Sequence, residues 1–526
     1  MRFDLATPSG LTAALGPEMF LVAGAMALLL WASWKPESDE HQRNVAIGSI
    51  VVTIVTAGLV IWYMAAGAVS GPGIIAVDNF RWASDLLFLL ATLMAIALSM
   101  DYAKRVGLTI AEAHVLILLA TSGMMLLAAA RDLIIVFLGI ELMSVAVYVL
   151  TGIQRRSGRA AEAALKYFLL GAFSTGFLLY GIALVYGATG ATNLARIAER
   201  VTASGFSGVP MLSVGIGLLL VGFAFKVAAA PFHMWTPDVY EGAPTPYTAY
   251  MAAAVKAAAF AAFLRVWIEA FPAIQYDAPS HRALWYLAVV TMIAGNAIAL
   301  AQKNIKRMLA YSSIAHAGYI LVALVVGTSL GASAFLFYLV AYTLATMGAF
   351  AVVMAVAPIR EEDEQVAAFG GLWRDRPWLA VAMAVFMLAL LGFPIAGGMG
   401  FFAKWYVLQA ALGRDQNLLA VALVLTSVLS AGYYLYVVMV MFMRPRPKDA
   451  QPVAPVPRLT GLVIGLTAGA LLIFGVFPNP VLWFARQNTL PVPVPTMSQD
   501  MPGMIHGVAP GVAQPAAPPV AAIPTR

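Results

Sequence analysis

Apolar runs of about 20 residues recur along almost the whole chain, separated by short polar connections. At 1.5 Å per helical residue, each run reaches across a hydrocarbon core of about 30 Å. Inside such a core the backbone has no water to bond, so a spanning segment must satisfy its own N–H and C=O groups as a helix. The sequence therefore predicts an all-α polytopic membrane protein whose core is the helix bundle itself. Fourteen spans are expected, at 15–34, 45–66, 82–100, 113–130, 132–152, 163–187, 211–232, 246–270, 285–302, 307–327, 332–357, 378–410, 418–442 and 459–478. The third is short and opens on Arg81 and Asp85. The fourth and fifth meet at Arg131-Asp132, which requires a tight turn at an interface.

Only 11% of the residues are charged, against about a quarter in soluble domains. The net charge of +6 resides in short loops and is not a nucleic-acid signal. With the N-terminus outside, seventeen lysines and arginines fall in inner loops and nine on the outer side. The positive-inside bias then predicts both termini outside. The chain has no cysteine, hence no thiolate to hold an iron–sulfur cluster. Its six histidines are too scattered for a haem or metal site, and it has no nucleotide-binding glycine loop. The first apolar run, Met19 to Trp34, lacks a small-residue cleavage site and reads as a span rather than a signal peptide. Redox and nucleotide chemistry are therefore expected on other chains.

Spans 7 and 12 are interrupted. Span 12 covers about 33 residues, which would reach roughly 50 Å as one helix, so it must tilt or break. Gly392-Phe393-Pro394-Ile395-Ala396-Gly397-Gly398-Met399-Gly400 supplies the break, and Pro231 and Pro237 do so in span 7. Irregular backbone at membrane depth is tolerated only against protein or a water-filled cavity. Two interrupted helices five spans apart cross in opposite directions, the pattern of an inverted-repeat transporter. The expected organisation is a three-helix N-terminal segment (1–110), a first five-helix repeat (111–270, spans 4–8) and a second, inverted repeat (285–442, spans 9–13). A final helix (459–478) and a Pro/Ala-rich tail (485–526) follow.

Charge sits where the pattern makes it expensive. Lys226 precedes the break in span 7, Lys404 follows the break in span 12, and Lys256 lies ten residues past Pro246, roughly 15 Å deep. Glu141 and His316 occupy matching depths in spans 5 and 10. A buried ammonium costs several kcal/mol unless a partner or water relieves it. A lysine at such depth suits proton passage because it can exist charged or neutral. Glu141 has no charge nearby on its own helix, and its expected partner is Lys226. Blander readings stay open: ion pairs that only hold helices, an interfacial Lys404 beside Trp405 and Tyr406, and hydrogen-bonded structural roles for His316 and His233. Lys166 and Arg265, near span ends, read as snorkelling side chains. Asp238 and Glu241 read as caps of helix starts among Pro231, Pro237, Pro244 and Pro246.

Four segments together carry a family resemblance: FKVAAAPFHMWTPDVYEGAPTPYTAYMAAAVKAAAFAAFLRV, LGIELMSVAVYVLTG, EAALKYFLLGAFSTGFLLYG and NIKRMLAYSSIAHAGYILVAL. They resemble the subunit N family of the bacterial proton-pumping NADH:quinone oxidoreductase, respiratory complex I. The likeness covers spans 4 to 13 and is most specific from Phe225 to Val266. It implies fourteen helices with inverted five-helix repeats, akin to subunits of cation/proton antiporters. It further implies that protons pass from cytoplasm to periplasm across the bacterial inner membrane, with both termini periplasmic. Glu141, Lys226, Lys256 and Lys404 take the family's functional positions, and His316 is a relay candidate. Quinone reduction elsewhere would drive the transport. No cofactor is expected in this chain; NADH, FMN, iron–sulfur clusters and quinone would be held by other subunits. The implied partners are the lipid bilayer, the neighbouring antiporter-like subunit M and the small subunits J and K, with no nucleic acid. Lysine rather than glutamate in span 12 argues against subunit M, and no long lateral helix follows span 14 as in subunit L. The break departs from the family's usual GxPPxxGFxxK, with Ile395 where a second proline is expected. Two alternatives stay open: a subunit of a multi-subunit sodium/proton antiporter, and a structural membrane subunit.

Overall fold

Among the described residues the secondary structure is almost wholly helical, apart from two-residue strands, β1 (Arg2–Phe3) paired in parallel with β2 (Val69–Ser70), and three isolated bridges. The computed structural model describes residues 1–34, 38–204, 210–272, 279–356, 364–394, 398–446 and 454–490, all within the unit Met1–Val492. The chain opens with α1 (Pro8–Ala14), α2 (Gly16–Trp34), α3 (Asp39–Ala65), α4 (Asn79–Val106), α5 (Glu112–Ala129), α6 (Leu133–Thr151) and α7 (Gly158–Thr189). It continues with the amphipathic α8 (Leu194–Ser204), α9 (Pro210–Lys226), α10 (Thr236–Gly242), α11 (Thr245–Tyr250) and α12 (Lys256–Ala270). The last nine are α13 (Pro279–Ala299), α14 (Ile305–Val326), α15 (Ser329–Val356), α16 (Leu372–Asp375), α17 (Pro377–Leu391), α18 (Gly398–Leu412), α19 (Asn417–Met443), α20 (Arg458–Val476) and α21 (Asn479–Gln487).

Twelve helical segments among the described residues are long and apolar enough to cross a membrane; α11 and α12 count as one, Thr245–Ala270. The remaining two expected spans are the interrupted ones. Span 7 is α9, an irregular stretch and α10; span 12 is α17 and α18. Two boundaries differ from expectation. Span 3 is not short: Asp78 caps α4 by accepting the Arg81 N–H, and the helix runs 28 residues, because Arg81 and Asp85 are buried and partly paired inside the protein. Span 7 ends as a helix at Lys226 rather than near 232: Ala228 adopts a left-handed φ of 60°, the Ala228 and Ala229 N–H groups fold back onto the last turn, and Pro231 offers no donor to resume the helix. Asp132 accepts the Ile134 N–H and starts α6 directly after α5, giving the expected tight turn. Residues 395–397 of the predicted break, and the tail beyond 490, lie outside the described residues.

Small residues let the helices approach closely, as membrane bundles require. Segment Thr245–Ala270 is wholly enclosed and α14 nearly so, whereas α2, α3 and α20 bury only about a third of their residues. The enclosed segment also contains the one π-helical turn described, Met251–Val255, which leads straight into Lys256. Such turns widen the helix and free backbone groups, and they occur often at functional sites.

Candidate functional site

All three deep lysines are buried, and each ammonium has a specific set of acceptors. Lys256 donates to the Ser313 carbonyl at 2.8 Å and to the Ser313 hydroxyl. The same hydroxyl accepts from Tyr342 at 2.7 Å. One turn further along α14, the two ring nitrogens of His316 meet Tyr338 at 2.7 Å and Tyr434 at 3.1 Å, and the Tyr434 hydroxyl is bonded to Ser312. A small cavity lies between these groups, lined by His316, Tyr338, Tyr342, Ala389, Gly400 and Ala403.

Lys404 stands beyond that cavity. Its Nζ donates to the Leu391 carbonyl and to the Ser427 hydroxyl, both at 2.8 Å, and lies 4.6 Å from the Tyr319 ring. Leu391 ends α17, so the ammonium sits on the negative end of that half-helix, which relieves part of the cost of burying it. The interfacial reading of Lys404 is therefore set aside: Trp405 points outward, but Lys404 points into the break. Gly392 closes α17 with φ of +80°, a conformation glycine adopts freely. A Cβ on Gly400 would come within 1.8 Å of the Ala389 carbonyl. Gly400→Ala must therefore push the two half-helices apart, at about 1–3 kcal/mol or more. The expected result is a reduced amount of the protein in membranes, measured on native gels against wild type.

Lys226 ends α9 and donates to Ser144 at 2.9 Å and to Tyr148 at 3.2 Å on α6. Its expected pairing with Glu141 is not formed: no ion pair between them exists among the described residues. Glu141, Ser144 and Tyr148 share one stripe of α6 at i, i+3 and i+7. Lys226 takes the two hydroxyls, and Glu141 turns outward instead. The Glu141 side chain is half-buried and accepts from Thr175 at 2.9 Å, on a face where Leu138, Leu142, Val145 and Phe168 are exposed. From Tyr148 the contacts run over aromatic rings: Tyr148 meets Tyr167 edge-on at 4.6 Å, and Tyr167 stacks on Trp235 at 4.4 Å. The Trp235 indole donates to the Phe225 carbonyl at the end of α9.

Two ionic clusters close the ends of this interior. Arg265 does not behave as the snorkelling side chain expected from sequence; Lys166 does reach an exposed cleft, where acidic side chains hold it. Lys166 bonds Asp238 at 2.8 Å and Glu162 at 2.7 Å; Arg307 bonds Asp238 at 2.7 Å and Glu241 at 2.8 Å. Asp238 does sit in the first turn of α10, as expected, though without a capping hydrogen bond, and both it and Glu241 pair with the basic side chains across a cleft. At the other end Arg265 is fully buried and grips Asp78 through two bonds, at 2.8 and 2.9 Å, with Glu269 at 2.7 Å. Burial pushes the Asp78 carboxyl up, but the nearby guanidiniums of Arg265 and Arg131 outweigh it and hold it at about 2.

The family model described as the transmembrane part of NADH:quinone oxidoreductase and Mrp antiporters matches residues 130–430. A protein of Gemmatimonas aurantiaca named NADH-quinone oxidoreductase subunit N is 52% identical over 92% of this chain and 95% of its own length. The chain belongs to the NADH-quinone oxidoreductase subunit N family. A second member, from Trichlorobacter lovleyi, is 46% identical over 90% of this chain and 95% of that protein. A chain of respiratory complex I from Thermus thermophilus superposes with a TM-score of 0.75 at 37% identity, covering 89% of this chain and 99% of that one. A chain of the Mrp complex from Dietzia, at 21% identity, shares the fold with a TM-score of 0.76 over 91% of this chain and 97% of its own.

Within this subunit N fold the five sequence candidates do not form one cluster. Lys256, His316 and Lys404 share a hydroxyl-lined interior, Lys226 is tied to α6, and Glu141 faces outward. Sequence reading missed Ser144, Tyr148, Ser313, Tyr338, Tyr342 and Tyr434. A signal existed for some of them: Ser313 lies three residues before His316, and Tyr338 and Tyr342 are four apart, so each pair shares a helix face.

Proposed function

We propose that this chain is a proton-translocating membrane-arm subunit of complex I, with Lys226, Lys256, His316 and Lys404 as successive proton-binding groups and Glu141 as their modulating partner. One observation carries this reading: Lys256 and Lys404 flank His316 within a shell of hydroxyls, each ammonium held by neutral acceptors rather than a fixed counter-ion. A lysine held by hydroxyls can release its proton without leaving an unpaired carboxylate behind. The small cavity beside His316 is lined by apolar residues apart from His316, Tyr338 and Tyr342, and has room for at most a single water, which would bridge these groups towards Lys404. The two halves of the interior correspond to repeats 111–270 and 285–442.

Protons enter from the cytoplasmic side and leave towards the periplasm, across the bacterial inner membrane, with both termini periplasmic. A carboxylate at membrane depth is expensive against lipid, so Glu141 marks a face covered by a neighbouring subunit; subunits M, J and K are the candidate neighbours. NADH, FMN, iron–sulfur clusters and quinone belong to other subunits of the assembly. Lys404→Met is the direct test. In proteoliposomes holding the whole complex, it lowers the number of protons moved per NADH oxidised. An unchanged ratio in assembled complex would sink the proposal, and loss of assembly alone would favour a structural role.

A further inference from the structure

The N-terminal helices hold an ionic cluster away from the lysines. Arg81 on α4 is fully buried, its guanidinium carbon 4.3 Å from the centre of the Trp82 ring. It donates to the Ala76 carbonyl at 2.8 Å, to the Ala14 carbonyl at 3.0 Å and to Glu18 Oε1 at 2.5 Å. One turn along α4, Asp85 is also fully buried, and Arg81 Nε lies 3.7 Å from its Oδ2. That separation is too long for a hydrogen bond. Both Asp85 oxygens, Glu18 Oε2 and Arg81 Nε lack hydrogen-bond partners.

Among the other polar groups of this region, Tyr63 and Asp78 are already committed, and the buried Trp82 indole N–H and Ser84 hydroxyl form no hydrogen bond to the cluster. The Tyr63 hydroxyl of α3 donates to the Ala13 carbonyl at 2.8 Å. Asp78 accepts the Arg81 backbone N–H and is gripped by Arg265 of α12. Two carboxyl groups therefore share one guanidinium. If both were ionised, a negative charge without a donor would be sealed inside the bundle, which proteins do not tolerate cheaply. Glu18 receives the short charge-assisted bond and is the ionised member of the pair. Asp85 receives no donor at all.

We propose that Asp85 binds a proton and stands as a neutral carboxylic acid beside an ionised Glu18–Arg81 pair, giving the N-terminal helices a proton-binding site separate from the lysines. The proton comes from the aqueous phase and rests on a carboxylate oxygen, leaving the triad electrically neutral.

Infrared difference spectra of the purified complex, wild type minus Asp85→Asn, test this. The expected result is the loss of one carboxylic-acid C=O band that shifts in heavy water, with unchanged content of assembled complex, because Asn is a neutral near-isostere of the protonated acid. Glu18→Gln removes the ionised partner and is expected to lower that content. Two results would overturn the proposal: a spectrum in which Asp85→Asn removes only carboxylate bands, or an Asp85→Asn complex lost as severely as the Glu18→Gln one.

Discussion

Lys256→Ala in the assembled complex is expected to slow the proton-transfer step at this position by about a hundredfold, the contribution typical of a positioned acid–base group. The enclosed segment Thr245–Ala270 holds two buried cations: Arg265 is paired with Asp78 and Glu269, whereas Lys256 is held by Ser313. Its ammonium occupies both acceptors of Ser313, whose hydroxyl also takes the Tyr342 bond. Alanine leaves Ser313 and Tyr342 in place but removes the group that changes charge. The small neighbours Ala252, Ala253, Ala257 and Ala259 bury the gap without demanding new contacts, so the fold should survive the change. The measurement is pH-dye or electrode recording of proton movement by reconstituted complex during NADH oxidation. Assembled complex that pumps at the wild-type rate would exclude Lys256 from the route.

Arg265→Met is expected to have the largest effect on stability. Removing one partner of a buried ion pair costs about 3–5 kcal/mol, and without Arg265 the Asp78 and Glu269 carboxylates are left to share the single guanidinium of Arg131. Here the guanidinium joins the start of α4 to the end of α12 through Asp78 and also satisfies the Ala128 carbonyl. The expected readout is failure of the subunit to accumulate in membranes. Asp78→Asn added to Arg265→Met should recover part of the loss, since no lone carboxylate remains. The sign with acid follows from the depressed Asp78 carboxyl. A group held at about 2 stabilises the fold fully above its free value near 3.9. That contribution disappears as pH falls from about 4 to about 2. Thermal unfolding of detergent-solubilised complex across this range would show it.

Much of the architecture was legible because the bilayer restricts backbone so strongly. Run length, loop charge and the two Pro/Gly interruptions determine helices, crossings and breaks with little ambiguity. The depth of Lys226, Lys256 and Lys404 could be counted along the chain for the same reason. What could not be counted was rotation. Glu141 and Lys226 were expected to pair, yet Lys226 bonds Ser144 and Tyr148 on the same stripe of α6, and Glu141 bonds Thr175. Arg265 looked like a residue near water because its partner Asp78 is 187 residues distant in sequence. Hydroxyl residues such as Ser313 and Tyr434 are too common in membrane helices to stand out until a neighbouring helix is seen to face them.

The bond from Lys404 to the Leu391 carbonyl ties the shape of a helix break to a single proton. With the proton on, the ammonium staples the end of α17 to α18; with it off, the staple loses its charge and its hold on the half-helix dipole. Under the proposed role of Lys404 in proton transfer, shape and charge at this point are linked, and thermodynamic linkage makes the influence run both ways. A substitution that only bends the backbone near Gly392 or Gly400 would then retune a titration it never touches. Mutations scored as structural at this break can therefore carry an electrical phenotype.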